Sequence, residues 1–203
     1  FYWRQFSSVK FISFSKTLHN YLVDKGLDSF FIQYFPEIQE NNKKIIPENL
    51  TAFFWYRIET INWEKIKKLI SPNSFKKIYI QNHPDPNQKK LQISKEDIEK
   101  YNIKIIDWFE SKEEYINTIK FVDVYFAPRI YEGIGLSFLE VMSYGKYIVA
   151  FNNPTMNEYI INQKNGFLFD FKTTDIVNFS KINQKEILQI NQKYRQEYLN
   201  KID

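Results

Sequence analysis

The chain has 203 residues, enough for one sizeable core or for one domain with a fragment of another. It contains no cysteine, which excludes a disulfide framework, a cysteine nucleophile and thiolate metal sites, and its 28 Lys and Arg are interspersed with 24 Asp and Glu, so no basic run is present to track a nucleic-acid backbone. A net charge of +4 is a mild balance that suits an anionic small molecule or an anionic membrane surface.

Taken in chain order, strands and helices alternate, which predicts a parallel sheet with helices on both faces. Residues 9–14 read as a strand. Ser15 caps a helix that runs through Lys25 and is ended by Gly26, and residues 30–34 are the next strand. Residues 1–35 form this first unit. The polar stretch 36–49, bounded by Pro36 and Pro47, reads as a linker. A second unit, 50–180, begins with a strand over 51–56 and continues with helix 63–70, strand 77–81, helix 95–101, strand 103–108, helix 112–120 and strand 122–127. Ser111 with Glu114 is a capping box, and Ser94 with Asp97 is a looser version of it. A further helix runs over 136–144 and is ended by Gly145. In the tail, 181–203, Ile187, Ile190, Tyr194, Tyr198 and Ile202 recur at helical spacing, the stripe of a core-packing helix. No internal repeat is visible.

The densest signal lies between the last strand and the helix that follows it, in the run from Tyr131 to Glu140. Four of the five glycines, Gly133, Gly135, Gly145 and Gly166, fall within 133–166, so this segment has backbone demands that the rest lacks. Strand, loop, glycine and helix N-terminus follow in that order. Such a helix start points unpaired N–H groups and a positive dipole end over the loop, where an anion can approach closely. Glu132 falls on the loop and Glu140 about one turn inside the helix, so the two carboxylates reach different parts of one bound molecule rather than share a metal. The plain alternative is a glycine turn with two solvated glutamates on a helix flank, the commoner fate of such residues.

From Ala127 to Asp170 the chain resembles the donor-binding, C-terminal half of retaining glycosyltransferases of the two-domain GT-B type, in the bacterial group with a Glu-x7-Glu signature (glycosyltransferase family 4-like). The two glutamates are followed, in register, by Tyr144 to Ala150, by Asn157-Glu158-Tyr159-Ile160, and by Asn165-Gly166-Phe167-Leu168, where the family has its strand, its Pro-Glu pair and its Asn-Gly-hydrophobic turn. The resemblance implies a Rossmann-like α/β fold, with 1–35 as the remnant of an N-terminal acceptor domain, 36–49 as the interdomain linker, 50–180 as the nucleotide-sugar donor domain and 181–203 as a C-terminal helix that crosses back. It implies that Glu140 accepts hydrogen bonds from ribose hydroxyls and that Glu132 is the catalytic-position carboxylate, holding sugar hydroxyls near the anomeric carbon. Gly133 and Gly135 let the donor approach, and Gly135, Leu136 and Ser137 offer backbone N–H groups to the diphosphate. Arg57, at the end of strand 51–56, stands where the family has an arginine on the donor phosphates. The family lysine some five residues later is replaced here by Glu59-Thr60-Ile61-Asn62-Trp63. Lys65 is a candidate for that role. Arg129 could reach the diphosphate or equally pair with Glu132. Trp108-Phe109-Glu110 occupies the family's nucleobase position, where Trp108 either stacks on the base or, the preferred reading, belongs to the core.

The activity implied is hexosyl transfer from a nucleotide sugar to a surface glycan or lipid-linked acceptor, without metal or other cofactor. The alternatives are a non-catalytic nucleotide-sugar-binding module or partner subunit and, more weakly, a GT-B-like sugar epimerase. Because the two-domain architecture needs roughly twice this length, the missing N-terminal domain or acceptor is an expected partner, the isolated fragment is expected to be inactive, and the full-length protein could touch a membrane peripherally. With only His19 and His83 present, no multi-histidine metal site can be built. There is no Asp-x-Asp metal motif in a credible setting, no Gly-x-Ser-x-Gly elbow and no Walker loop. No apolar run nears the ~20 residues that span a bilayer, and the aromatic start lacks a signal-peptide cleavage site, so the expectation is a cytoplasmic protein.

Overall fold

The computed structural model describes residues 2–41 and 43–202. Phe1, Asn42 and Asp203, which belong to the expected first unit, linker and C-terminal helix respectively, lie outside the described residues. The first unit is β1 (Phe11–Ser13), α1 (Lys16–Asp24) and β2 (Ser29–Phe31), with the two strands paired in parallel. The second contains β3 (Thr51–Tyr56), α2 (Trp63–Lys68), β4 (Lys77–Asn82), α3 (Lys95–Lys100), β5 (Ile103–Ile106), α4 (Lys112–Phe121), β6 (Val124–Phe126), α5 (Leu136–Ser143), β7 (Tyr147–Phe151), α6 (Met156–Tyr159) and β8 (Gly166–Phe169). The chain then closes with α7 (Gln184–Ile202).

The six strands β3 to β8 make one parallel sheet in the order β5-β4-β3-β6-β7-β8. This is a Rossmann-like α/β fold. Its central strands are apolar runs buried on both faces: Ala52, Phe53, Phe54, Val124, Tyr125, Phe126, Ile148, Val149 and Ala150 are all fully buried, as expected for a parallel sheet covered by helices on both sides. From β3 the chain winds outward to β5, then returns to lay β6 on the other side of β3 and winds outward to β8. The turning point between β3 and β6 is tied at the amino ends of the strands by Asp123, whose Oδ2 accepts from Thr51 N at 2.8 Å and from Thr51 Oγ1 at 2.9 Å. At their carboxyl ends the connections leave in opposite directions and open a crevice.

Local capping places the helices. Side chains of Ser15, Asn62, Ser94 and Ser111 accept the backbone N–H groups of Leu18, Lys65, Asp97 and Glu114. Several elements differ from the sequence expectation, among them the first two strands, which are shortened to 11–13 and 29–31. The strand expected to reach Trp108 stops at Ile106. The Asn-Gly-hydrophobic segment at 165–168 leaves its turn at Asn165 and continues as an edge strand, β8, and a Cβ on Gly166 would stand 2.3 Å from Ile148 O, so only glycine lets β8 approach β7. The linker is laid against the domain: Gln39 N donates to Ser143 O at 3.0 Å and Asn41 Nδ2 to Tyr144 O at 3.2 Å, satisfying carbonyls at the end of α5. The tail helix α7 packs against residues 31–35. Arg195 donates to Phe35 O and Lys201 to Phe31 O, both at 2.9 Å, and Tyr198 meets Tyr34 edge to face.

Candidate functional site

The crevice outside β3 and β6 collects most of the residues singled out in the sequence. Gly135 is the N-cap of α5 in a left-handed conformation (φ 78°), and any Cβ there would lie 2.0 Å from the Phe138 ring. The first-turn N–H groups of α5 have no intrahelical acceptor and open on the crevice beside Leu136, which is exposed, and Ser137, which is half-buried. Gly133 is exposed, with no atom near the place of a missing Cβ. The loop is pinned from the start of α6: Thr155, fully buried, donates its hydroxyl to Glu132 O at 3.0 Å and Gly133 O at 2.9 Å. That places the half-buried Glu132 carboxyl in the crevice. Burial pushes it up from the usual carboxylate range; Arg129 and then Arg57 draw it back down, and Asp85 opposes them.

Two guanidiniums stand at the mouth. Arg57, leaving the end of β3, bonds Asp85 Oδ1 through Nε at 2.7 Å and through a terminal nitrogen at 2.6 Å. Arg129, after β6, bonds the other oxygen of the same carboxylate at 2.5 Å. Asp85 N also donates to Arg57 O at 2.9 Å, so the loop after β4 is fastened to the strand end. Arg129 thus pairs with Asp85 and not with Glu132, because the turn around Pro84 brings Asp85 between the two arginines. Lys65 is elsewhere: its ammonium lies over the Phe171 ring at 5.2 Å.

Deeper in the crevice, Tyr125 is fully buried and its hydroxyl has no hydrogen-bond partner. Ser137 faces it without completing a bond. Burial pushes this phenol far up; Ser137 and Arg57 oppose the shift, while Glu132 and Glu140 add to it, so all four act on one buried hydroxyl. Burial likewise raises Tyr115 on α4, with the neighbouring Tyr125 and the Glu140 carboxylate adding to the shift. Glu140 is half-buried on α5. Beside it a pocket of about 330 Å³ is lined by Trp55, Gln81, Trp108, Phe109 and Tyr115. Trp108 is not core: it is 59% exposed, since β5 ends two residues before it, and its ring meets Trp55 at 5.9 Å and His83 at 4.4 Å. Arg57 lies over the Trp55 ring at 4.3 Å, so the pocket and the cations share a wall.

The structure therefore brings together Arg57, Arg129, Glu132, Gly133, Gly135, Leu136, Ser137, Glu140 and Trp108, and leaves Lys65 apart. Asp85, Thr155, Tyr125 and Gln81 join them without having been found in the sequence. The Pro-Asp-Pro turn at 84–86 was the one visible hint for Asp85. Among the described residues no group of three His, Asp or Glu side chains is placed to hold a metal ion, and no helix is long and apolar enough to cross a membrane.

Comparison with known proteins gives a consistent result. The model of the family "Glycosyl transferases group 1" matches residues 78–195. No curated protein matches the chain. Among solved structures, a variant of S. aureus TarM in complex with UDP, fondaparinux and alpha-GlcNAc-glycerol is 16% identical with a TM-score of 0.59, covering 95% of this chain and 41% of that one. Anabaena HepE in complex with UDP is 12% identical with a TM-score of 0.57, over 94% of this chain and 62% of that one. The C-terminal domain of a group 1 glycosyl transferase, LpcC from Francisella tularensis, is 17% identical with a TM-score of 0.50, over 78% of this chain and 88% of that one. At such identities the likeness is one of fold. The chain spans 40% of TarM and 60% of the galactosyltransferase WaaB, so it corresponds to part of these longer proteins.

Proposed function

Because the chain belongs to the glycosyl transferases of group 1, we propose that the crevice binds a nucleoside diphosphate sugar and that these residues are the donor half of a retaining, metal-independent glycosyltransferase of the Glu-x7-Glu group. One observation carries the reading: two arginines, fixed by a shared Asp85 carboxylate, face the Glu132 carboxyl and the open N-terminus of α5 across the turning point of the sheet. That is an anion site beside a carboxylate. Arg57 and Arg129 neutralise the diphosphate, Arg129 taking the place of the family's lysine, and the N–H groups at Gly135, Leu136 and Ser137 meet its oxygens. The charge that develops on the leaving diphosphate is then stabilised by groups already in position, without reorganisation and without a cation of its own. Glu140 accepts the ribose hydroxyls. Glu132 holds the sugar hydroxyls and orients the anomeric carbon for a same-face, ion-pair-like displacement, acting as a positioner rather than as a nucleophile.

The UDP in the TarM and HepE complexes makes UDP the first donor nucleotide to test. The acceptor is a surface glycan or a lipid-linked sugar, and we place the reaction in the cytoplasm, where sugar nucleotides are made. By themselves the 203 residues act as a donor-binding module, because the chain covers under half of TarM. Calorimetry with UDP tests the site. Glu140→Ala should weaken UDP by about 1.5 to 3 kcal/mol, the range for hydrogen bonds to a charged acceptor, whereas Glu158→Ala should leave it near wild type. Equal losses in the two variants would remove the assignment.

A further inference from the structure

We infer that Gln81 reads the nucleobase of the donor, accepting an N–H from the base's edge inside the aromatic pocket next to Arg57. The inference rests on the reading of the crevice as a nucleoside diphosphate site. β4 carries Gln81 at the sheet position paired with Trp55 on β3, so both side chains face α4, as Phe53 and its partner Tyr125 do. Gln81 is 2% exposed, and its Oε1 is buried with no hydrogen-bond partner in the protein. Buried amide oxygens are normally satisfied, and an orphan needs a reason. Of the three such side-chain atoms among the described residues, Gln81 Oε1 and Tyr125 Oη both belong to this crevice, while Asn191 Oδ1 is on the buried face of α7. The destabilising polar atoms thus concentrate where a ligand is expected.

The surroundings select the ligand's chemistry. Trp55, Trp108, Phe109 and Tyr115 give the pocket aromatic walls, and its volume of about 330 Å³ has room for a planar heterocycle. Glu110, Ser111 and Lys112 complete the lining beside Gln81; a base needs a face to stack on and one or two edge contacts, and the aromatic walls with these few polar groups offer both. Continuity fixes the order along the ligand. Trp55 separates the pocket from Arg57, and Tyr115 borders both the pocket and Glu140, so a base against Gln81 leaves its ribose at Glu140 and its diphosphate at the arginines. An amide is also a selective reader, since the bases differ in which edge atoms donate.

The test is calorimetry on the full 203-residue chain with UDP, ADP and GDP, and with inorganic pyrophosphate by competition. The wild type should prefer one base. Gln81→Leu should weaken that nucleotide about tenfold and flatten the preference, leave pyrophosphate unchanged, and keep or raise the Tm of the ligand-free protein, because leucine removes an unpartnered buried amide. Methylating the preferred nucleotide at the N–H of its pairing edge should cost the wild type a similar factor and the Leu variant nothing. A Leu variant with wild-type affinity and preference would overturn the role of Gln81 while leaving the site intact. Equal loss of nucleotide and pyrophosphate, or a lowered Tm, would make Gln81 structural. If no nucleotide binds the wild type, the reading of the crevice falls and the inference with it.

Discussion

Asp85 decides how the two arginines behave. A guanidinium at a strand end is normally mobile, but here both are held by one carboxylate, so their donors are already oriented before an anion arrives. Arg57→Ala and Arg129→Ala should each weaken UDP by about 1.5 to 3 kcal/mol and uridine hardly at all, whereas Lys65→Ala should change neither; titrating the three variants with both ligands separates a phosphate contact from a structural one. A different residue governs the pH response. Lys146 is fully buried, donates to Lys120 O at 2.7 Å, and burial draws its ammonium down from 10.5 to about 7, with Asp123 opposing the shift. Its folded-state affinity for the proton is depressed, so the cost of the buried charge is fully present below pH 7 and is relieved as pH rises from about 7 towards 10.5. Lys146→Met should therefore stabilise the chain by a few kcal/mol more at pH 6 than at pH 9.5, measured by urea unfolding at both values; a difference independent of pH would contradict a buried ammonium. Glu132, Glu140 and Arg57 were legible because their motifs are local or lie at predicted strand ends. Asp85, Thr155 and Gln81 were not, because they meet the site only through contacts or strand pairings distant in sequence, such as the 44 residues between Asp85 and Arg129.

Among the elements, α1 owes its start to a residue far along the chain. Glu158 on α6 takes the Ser15 hydroxyl at 2.8 Å and the N–H groups of Lys16 and Thr17 at 2.6 and 3.0 Å, so a carboxylate of the second unit caps a helix of the first. Glu158→Ala should cost about 1 to 2 kcal/mol, the usual value of a lost cap, and should expose residues 2–35 to limited proteolysis while the six-stranded sheet stays protected. Cleavage at the wild-type rate would show that the first unit is held by other contacts. The same residue shows why elements were easier to read than their joints. Caps such as Ser15, Ser94 and Ser111 act within three residues and were visible, whereas the Glu158 cap spans 143 residues and left no local trace. β8 was missed for a related reason: an Asn-Gly pair signals a turn, and what makes it a strand is the closeness of β7, which only the assembled sheet supplies.

Over the whole molecule, the expected outcome is that these 203 residues bind the donor but transfer no sugar. In a sheet of this kind the ligand sits outside the carboxyl ends of the strands, and the chain spans only 40% of TarM and 60% of WaaB. Without an oriented acceptor the reaction lacks contributions on the order of 7 to 11 kcal/mol. Product formation by the chain alone, at a rate near that of the full-length protein with the same donor and acceptor, would show a self-contained catalyst. The alternation of strands and helices was enough to foresee the layers, because each buries an apolar run. The strand order could come only from the resemblance, since no local pattern says on which side of β3 the chain returns. That return has a kinetic consequence. The aromatic pocket and Arg57 belong to the segment 51–115, while Glu132, Arg129 and the α5 terminus belong to 124–143, and the two halves meet only when β6 docks on β3. Closing so long a loop is a late, slow event in folding. A nucleotide that touches both halves has no intermediate to bind, so it should slow unfolding while leaving the refolding rate unchanged.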